Sequence, residues 1–447
     1  MTVNKLTEME VTELWRQVTM GGTSLATVDE QMVEVVYPGR SSDEPGADFK
    51  DAVLSIGGRL TMGDIEVHVR SSDWCTHRHH RNKTYNGIVL HVVMWHDAKK
   101  VTRLEKGDSV PVISLNNQGT TVVTQRGTSP SLPCCVGSAS SVGGEKIAAV
   151  LDRAGEARFR EKQSVFRREL ESTDAGQCLY RGIMGALGYS RNIVPFEIVA
   201  EKLPLAILES LAQEIQEESA LARLEALLLG TAGLLPSQRV DTLHLSCNEV
   251  WAQTVERKWR AIQHPPALSP TDWRLFRVRP ANFPARRLAG MARLLCQYRA
   301  GGLLVGLLEQ VEESFTDDGG LELEVGLIVP AEGYWVDHYA PGKQCQKLDR
   351  FLIGQSRAKE IMVNVLLPFT AAYGERFSRS GIGERALALY CNSTSADENT
   401  IERHMRVQLG LKRSQVKSMR RQQGLLHLYK RFCTEGRCGE CLVLNNG

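Results

Sequence analysis

Regular patterns of apolar and polar residues run through the first hundred or so residues. Val11, Leu14 and Trp15 recur at the spacing of an amphipathic helix, and Thr7 with Glu10 three residues later is typical of a capping box at its start. The segments MVEVVYPGR, AVLSIGG and DIEVHVR alternate or are rich in β-branched residues, so they predict three strands. THRHHRNKTYN predicts a second helix, and the almost continuously apolar IVLHVVMW predicts a central strand buried on both faces. The predicted order is helix, three strands, helix and strand.

The pattern changes after this predicted sheet. Residues 129–145 are rich in Gly, Ser and Pro and predict a linker. Beyond it, amphipathic segments such as ESLAQEIQEESALARLEALLLG predict helices, and RSQVKSMRRQQGLLHLYKRFC predicts a basic helix near the end of the chain. We therefore expect an α+β protein with an α/β domain at 1–128, a mainly helical domain at 146–375, and a basic helical region with a cysteine knuckle at 376–447.

The composition is that of a folded, multi-domain chain. Its 447 residues suggest two or three domains, and 42% hydrophobic with 24% charged residues is an ordinary globular balance. No uncharged apolar run has the length that a bilayer requires, and the acidic start MTVNKLTEMEVTELW lacks the apolar core of a signal peptide. We expect a cytoplasmic protein with no membrane partner, and the sequence predicts nothing about oligomeric state.

A cluster of acidic and histidine side chains is predicted on the third strand. Alternation places Asp64, Glu66, His68 and Arg70 on one face, and Asp48 directly precedes the neighbouring strand. Carboxylates on adjacent strands are a common way to hold Mg²⁺ or Mn²⁺. Asp48 and Glu66 are therefore the predicted metal ligands, and His68 is predicted to orient or deprotonate a water. The simpler alternative is a half-buried strand that shows its polar face to solvent.

Histidines are concentrated in the same region, where six of the 11 fall within 29 residues. His77 and His79 are two residues apart, so they would point apart on a helix but could share a metal on a loop. A zinc site of His77, His79 and His91 is thus a further alternative. Within an apolar strand, however, His91 is more typical of a core histidine with a satisfied hydrogen bond.

Three cysteines near the end of the chain have the spacing of a metal-binding turn. The motif is Cys433-x4-Cys438-x2-Cys441, which is typical of zinc and less often of an iron–sulfur cluster. A closed tetrahedral zinc site needs a fourth ligand, for which His427 and Cys391 are the candidates. The alternative is three free thiols near the chain terminus.

Basic residues accumulate just before these cysteines. Nine Lys or Arg and no Asp or Glu lie between Arg403 and Arg431. Such a run favours a polyanion, most plausibly nucleic acid. It could also be a helix face that packs against an acidic neighbour, such as the segment from Glu214 to Glu218. The predicted nucleic-acid contacts are Lys412, Arg413, Lys417, Arg420 and Arg421.

Long segments throughout the chain resemble the uncharacterised bacterial family known as domain of unknown function 2851. They include PGADFKDAVLSI, GDIEVHVRSSDWCTHRHH, KTYNGIVLHVVMWHD, FRVRPANFPARRLA, LIGQSRAKEIMVNVLLPF and GLLHLYKRFCTEGRCGECL. The matching segments are long, dispersed and in the same order, and they cover nearly the whole chain. The resemblance implies no activity, because none is established for the family.

The N-terminal part also resembles the core of the restriction-endonuclease-like superfamily. That core has an Asp and then an (Asp/Glu)-x-Lys on the next strand, and Asp48 and Glu66 match its two carboxylates. Glu13 lies where some members place another acidic residue. This chain departs from the superfamily pattern at His68, which occupies the lysine position. Unlike lysine, a histidine is not a permanent cation at neutral pH.

Two function classes follow from these observations. The first is a phosphodiesterase that cuts DNA or RNA with Mg²⁺ or Mn²⁺ held by Asp48 and Glu66. The second is a non-catalytic module of the same fold that binds nucleic acid or a partner protein, which the loss of the lysine favours. The chain has no Walker loop, no G-x-S-x-G elbow and no G-x-G-x-x-G after a strand, so nucleotide triphosphate use, serine hydrolysis and dinucleotide binding lack support.

Overall fold

The chain folds into two compact units in the computed structural model. The structure describes residues 6–20, 25–42, 46–98, 101–116, 135, 143–189, 191–213, 217–239, 250–275, 278–314 and 324–445. The first unit comprises Met1–Gly155, Glu398–Lys417 and Arg421–Gly447. The second comprises Glu156–Asp397 and Ser418–Arg420. An N-terminal sheet followed by a largely helical region makes the protein α+β, as predicted.

The described residues of the first unit form a seven-stranded mixed sheet. Its strands are β1 Leu25–Ala26, β2 Met32–Tyr37, β3 Arg40–Ser41, β4 Phe49–Ile56, β5 Arg59–Arg70, β6 Ile88–Trp95 and β7 Val112–Ser114. The order is β1-β2-β4-β5-β6-β7, with β3 beside β4. Strands β2, β4 and β5 are antiparallel neighbours, whereas β5, β6 and β7 are parallel. The four predicted strands are thus β2, β4, β5 and β6, and β6 has a neighbour on each side.

Helix α1, Glu8–Met20, packs on one face of this sheet. The predicted capping box is present, because the Thr7 backbone N–H donates to Glu10 Oε2 at 2.7 Å and the Thr7 hydroxyl accepts from the Glu10 backbone N–H at 3.4 Å. Val11 and Trp15 are fully buried in the same cluster as the apolar residues of β5. The alternation in β5 therefore sends its apolar side chains to α1 and its polar ones to the opposite face.

The segment predicted as a second helix is not one helix. A single turn, α2 Asp73–Thr76, is followed by two 3-10 turns at His79–Arg81 and Lys83–Tyr85. The chain breaks at Arg78, whose φ of 61° is left-handed. Asn82 then caps the second 3-10 turn, because its side chain accepts a hydrogen bond from the Thr84 backbone N–H at 3.0 Å. This broken segment covers the polar face of β5.

The C-terminal segments share a core with the N-terminal sheet. Helix α3, Gly144–Glu169, begins in the first unit, and α14, Thr400–Gln408, and α15, Met419–Leu428, bury apolar residues against its first turns. The predicted single basic helix is instead a 3-10 turn at Arg413–Gln415, then α15, then a π-helical turn at Tyr429–Cys433. Most of the predicted linker at 129–145 lies outside the described residues, and its last two residues begin α3.

The second unit is built mainly from helices around one large apolar core. Its helices are the rest of α3, α4 Ala175–Leu187, α5 Ile193–Lys202, α6 Leu205–Ala212, α7 Glu217–Thr231, α8 Val250–Ala261, α9 Pro284–Gln297, α10 Leu303–Glu313, α11 Gln355–Ile361, α12 Leu367–Arg376 and α13 Ser380–Asn392. Its short strands are β8 Val329–Pro330, β9 His338–Ala340, β10 Lys343–Gln344 and β11 Phe351–Ile353.

One stretch of the described chain, Glu218–Gln238, is long and apolar enough to cross a membrane by length and composition alone. Its mean hydropathy is 1.2, and 78% of its most apolar window is buried inside the protein. Packing within the second unit therefore accounts for its apolar residues.

Candidate metal centre

The two carboxylates predicted from the sequence lie across from each other in the sheet. Strands β4 and β5 pair Phe49 with Ile65, so the antiparallel register sets Asp48 opposite Glu66 on the same face. Asp48 Oδ2 accepts a hydrogen bond from the Val67 backbone N–H at 2.8 Å, which fixes this carboxylate beside β5. Burial, and then repulsion from Glu66, raise the pKa of Asp48 to about 7. A cation between or beside the two carboxylates would offset their mutual repulsion.

Glu66 is the more buried of the two, with 5% of its surface exposed. Its Oε1 lies 3.3 Å from His79 Nε2 and 3.7 Å from His68 Nε2. Its Oε2 is buried and makes no hydrogen bond of ordinary geometry with a described residue. Burial raises the pKa of Glu66 to about 8, against the opposing effect of the Asp48 backbone N–H. Such an oxygen is costly to bury without a partner, and an ion bound through both carboxylate oxygens would satisfy it.

Three histidine nitrogens converge beside Glu66. The side chains of His68, His77 and His79 each offer one ligand atom, and these atoms all lie within 4.8 Å of one another. His68 Nε2 is 3.2 Å from His77 Nδ1 and 3.2 Å from His79 Nε2. Bonds of about 2.0–2.1 Å in a tetrahedral arrangement set neighbouring ligand nitrogens about 3.3 Å apart. The two distances of 3.2 Å are compatible with nitrogens that share one ion as well as with hydrogen bonds between the rings, and the third pair lies within 4.8 Å.

A buried chain of hydrogen bonds holds His68 from behind. His68 Nδ1 lies 2.9 Å from His91 Nε2, and His91 Nδ1 lies 3.2 Å from the Thr102 hydroxyl. Burial, and then the neighbouring imidazoles, lower the pKa of His68 to about 2, and burial lowers the pKa of His91 to about 3. Both rings are therefore neutral. If each ring carries its proton on Nδ1, His68 donates to His91 Nε2 and His91 donates to the Thr102 hydroxyl. The lone pair of His68 Nε2 is then directed at His77 and His79.

The broken segment after β5 is what brings His77 and His79 to one place. The left-handed Arg78 between them reverses the local direction of the chain, so two side chains that would diverge on a helix converge here. His79 packs on Tyr85 with ring centroids 3.8 Å apart, and the fully buried Trp74 lies against both His68 and His79. His77 remains exposed, so the group opens to solvent on that side.

Other residues of the predicted cluster are engaged elsewhere. Asp64 accepts from Lys50 Nζ at 2.6 Å, next to a register irregularity between Asp64 and Ile65. Arg70 pairs with Asp97 at 3.3 Å. Glu13 lies on the exposed side of α1, 3.3 Å from Arg16. His91 stands behind His68 rather than among the converging nitrogens, which makes His68 the third member of the histidine group.

Sequence reasoning missed Glu8. Its Oε1 lies 3.9 Å from His77 Nδ1, and its charge raises the pKa values of Asp48 and Glu66. The sequence marks it only as an acidic residue in the first turn of α1, a common feature of helices. Its proximity to the site depends on how α1 lies on the sheet.

The three terminal cysteines also belong to the first unit. Cys433 and Cys441 are buried and Cys438 is half-buried. Of the two expected fourth ligands, Cys391 belongs to the second unit, and the His427 ring packs 6.2 Å from that of Phe432.

The predicted nucleic-acid contacts divide into two kinds. Arg421 makes a bidentate pair with Asp152 at 3.0 and 3.1 Å, and Arg420 pairs with Glu156 at 2.7 Å, so these two arginines are engaged by acids of α3. Residues 214–216 of the acidic segment suggested by the sequence lie outside the described residues. The remaining three cations, Lys412, Arg413 and Lys417, are exposed, although Arg413 also lies 3.6 Å from Glu398.

Comparison with known proteins identifies the family of this chain but assigns it no activity. Searches among curated proteins and among solved structures found no match. The family model for a protein of unknown function, DUF2851, matches residues 8–400. Because this match spans most of the 447 residues, the chain belongs to the DUF2851 family.

Proposed function

We propose that this protein is a divalent-metal-dependent phosphodiesterase that acts on nucleic acid. The observation that carries the proposal is the convergence of Glu66 Oε1 with His68 Nε2, His77 Nδ1 and His79 Nε2, with Asp48 across the strand pair. Residue types that bind metals are common on surfaces. Here the carboxylate and two of the imidazoles are buried, which would be unfavourable without a partner for their lone pairs.

The donor set favours Mn²⁺ or Zn²⁺ over Mg²⁺. Imidazole nitrogens suit transition metals, whereas Mg²⁺ takes oxygen ligands and retains several waters. The group fits an ion because Glu66 Oε2 is buried without an ordinary hydrogen bond to a described residue, and because the three nitrogens lie within 4.8 Å of one another beside Glu66 Oε1. When bound, such an ion polarises a phosphoryl oxygen and lowers the pKa of a bound water.

Each residue then has a defined task. Glu66, His68, His77 and His79 would hold the ion, and His91 with Thr102 would keep the correct tautomer of His68. Asp48, less buried than Glu66 and fixed through the Val67 backbone N–H, would bind the ion or orient a water. His68 thus becomes a ligand, a different role from the water-orienting one that the sequence suggested.

Two observations support a nucleic-acid substrate. The order helix, three antiparallel strands, helical segment and parallel strand is the one expected of a restriction-endonuclease-like core. In addition, Lys412, Arg413 and Lys417 of the same unit are exposed cations. Phosphate oxygens are the natural partners of such side chains.

A second candidate function is a non-catalytic binding module. The nuclease pattern has a lysine where this chain has the neutral, buried His68, and Lys50 Nζ is engaged by Asp64. A site without a nearby cation would stabilise the developing charge of a phosphoryl transition state less well.

Cleavage assays distinguish the two. The full-length protein, stripped with a chelator, is incubated with labelled single- and double-stranded DNA and RNA in Mn²⁺, Zn²⁺ or Mg²⁺. We expect cleavage in Mn²⁺ or Zn²⁺ that is lost in Glu66→Gln and Asp48→Ala and retained in Glu13→Gln, an exposed acid of the same unit. Cleavage that survives in Glu66→Gln would overturn the proposed site. Salt-dependent binding without cleavage under any condition would favour the binding module.

A further inference from the structure

A second group of soft ligand atoms lies in the first unit, apart from the histidines. Cys135, Cys433 and Cys441 are part of one buried cluster and are 5%, 4% and 6% exposed, and Cys438 lies half-buried three residues before Cys441. Cys135 is distant from the others in sequence. From this meeting of chain segments, we propose that Cys135, Cys433, Cys438 and Cys441 form a four-thiolate zinc site.

One helix, α14, links Cys135 to the C-terminal motif. Gln408 Nε2, at the end of α14, lies 3.2 Å from Cys135 Sγ. Met405, one helical turn earlier, lies with its Sδ 3.9 Å from Cys433 Sγ. The Gln408 amide N–H beside the Cys135 sulfur would stabilise a thiolate there, as hydrogen bonds around metal-bound sulfur do.

Buried thiols that share one apolar setting can hold a cation once they ionise. Adjacent thiolates would repel one another in this apolar setting, so the group is stable either as neutral thiols or as thiolates around a positive ion. Zn²⁺ with four cysteine ligands is a common structural solution of the second kind.

The backbone from Cys433 to Cys441 is folded as a compact turn. The π-helical end of α15 buries Cys433, Gly436 N–H then donates to Cys433 C=O at 3.2 Å, and Cys441 N–H donates to Cys438 C=O at 3.0 Å. Gly436 has a φ of 66°, which favours glycine. Of the described residues, only His68, His77 and His79 already have ligand atoms converged on one place, so zinc binding by the cysteines requires this turn to tighten.

The inference replaces the fourth ligands that the sequence suggested. It assigns the position to Cys135, a residue that sequence spacing alone could not connect to the C-terminal motif. The site is also independent of the proposed phosphodiesterase, because its ligands and those of the histidine group do not overlap.

Metal analysis of the full-length protein tests the site. The variants are compared in a His79→Ala background, in which the histidine group no longer contributes, and there we expect one zinc per chain. This zinc is lost in Cys135→Ser and in Cys438→Ser and retained in Cys345→Ser, a half-buried cysteine of the second unit. Retention of zinc in Cys135→Ser would overturn the assignment of the fourth ligand. Iron with acid-labile sulfide in place of zinc would overturn the choice of metal.

A measurement on the unmodified chain covers the case in which Cys135→Ser does not fold. The native protein is treated with iodoacetamide with and without a strong zinc chelator, and labelled cysteines are identified by mass spectrometry. We expect Cys438, which is half-buried, to be protected until the chelator is added, and then to be labelled together with the other three. Equal labelling of Cys438 with and without chelator would contradict the site.

Discussion

His68 Nδ1 lies 2.9 Å from His91 Nε2 on the adjacent parallel strand, and both rings are buried. In the register of β5 with β6, His91 is paired with Glu66 and His68 is paired with Val93. The contact between the two histidines is therefore diagonal, between positions two residues apart on the same face of the sheet. Because His91 in turn contacts Thr102 at 3.2 Å, the tautomers of both rings are set by one buried chain. This chain leaves His68 Nε2 as an acceptor at the centre of the histidine group.

Removing His91 should weaken metal binding without removing a ligand. We expect His91→Phe to lower the affinity for Mn²⁺ or Zn²⁺ by about 10–100-fold, because the proton on His68 Nδ1 loses its acceptor. Isothermal titration of chelator-treated protein measures this, and Thr102→Val, one step further away, should have a smaller effect. Unchanged affinity in a folded His91→Phe protein would contradict the role of the chain.

Metal binding should stabilise the first unit through Glu66. An ion at about 100 times its Kd adds about 2.7 kcal/mol to the free energy of unfolding. We expect Mn²⁺ to raise the melting temperature of the wild type and of Glu13→Gln, and to have no such effect on Glu66→Gln. A metal-induced rise of equal size in Glu66→Gln would place the ion elsewhere.

The pH dependence of stability should include a contribution from His404, outside the metal centre. Burial, and then the charge of Arg40, lower the pKa of His404 to about 4, and Tyr37 Oη lies 2.5 Å from its Nε2. Below the unfolded pKa of about 6.5 the unfolded chain binds the proton more readily, so stability falls as pH decreases towards 4. The loss from this residue is about 3 kcal/mol when complete.

The His404→Gln variant, which keeps an acceptor for Tyr37, isolates this contribution. Denaturant unfolding at neutral pH and at about pH 5 should show a smaller loss of stability in the variant than in the wild type. Equal losses would mean that His404 is not a buried neutral residue.

Close packing of α15 against α3 should make Gly424 intolerant of a side chain. A Cβ at this position would lie 2.2 Å from the Leu151 carbonyl oxygen. We expect Gly424→Ala to reduce the free energy of unfolding by about 1–3 kcal/mol. Gly381→Ala, in α13, meets nothing within 4 Å and should be neutral or stabilising. Equal stability of the two variants would contradict this packing.

Among the five C-terminal cations, the exposed ones should contribute to nucleic-acid binding and Arg421 to stability. Lys412→Ala and Lys417→Ala should weaken binding of any nucleic acid and each reduce the salt slope by about 1, because both side chains are exposed. Arg421→Ala should instead lower stability, since its bidentate pair with Asp152 is lost. Gel-shift titrations at several salt concentrations measure the first effect and thermal unfolding the second. A large loss of nucleic-acid binding in a fully stable Arg421→Ala protein would reverse this division.

Local patterns in the sequence predicted the sheet well. The capping box of Thr7 and Glu10, the alternation of β5 and the apolar run of β6 depend on neighbours in the chain, and all three are present. The helix predicted after β5 was wrong as a single element, because the left-handed Arg78 is not visible in the helical spacing of its neighbours. That one residue also determines that His77 and His79 converge.

The rest of the candidate site depends on contacts between distant segments. The facing positions of Asp48 and Glu66 follow from strand order, which the sequence did suggest. The approach of Glu8 to His77, the position of His91 behind His68, and the meeting of Cys135 with the C-terminal turn each require tertiary packing. Likewise, the ion pair of Arg421 could not be predicted from the sequence, because its partner, Asp152, is 269 residues away in the chain.

The most direct test is the anomalous diffraction of crystals of the full-length protein soaked in Mn²⁺. We expect one strong peak within coordination distance of Glu66 Oε1, His68 Nε2 and His79 Nε2. No peak there, or a peak bound only by acids outside the group such as Asp97, would contradict it.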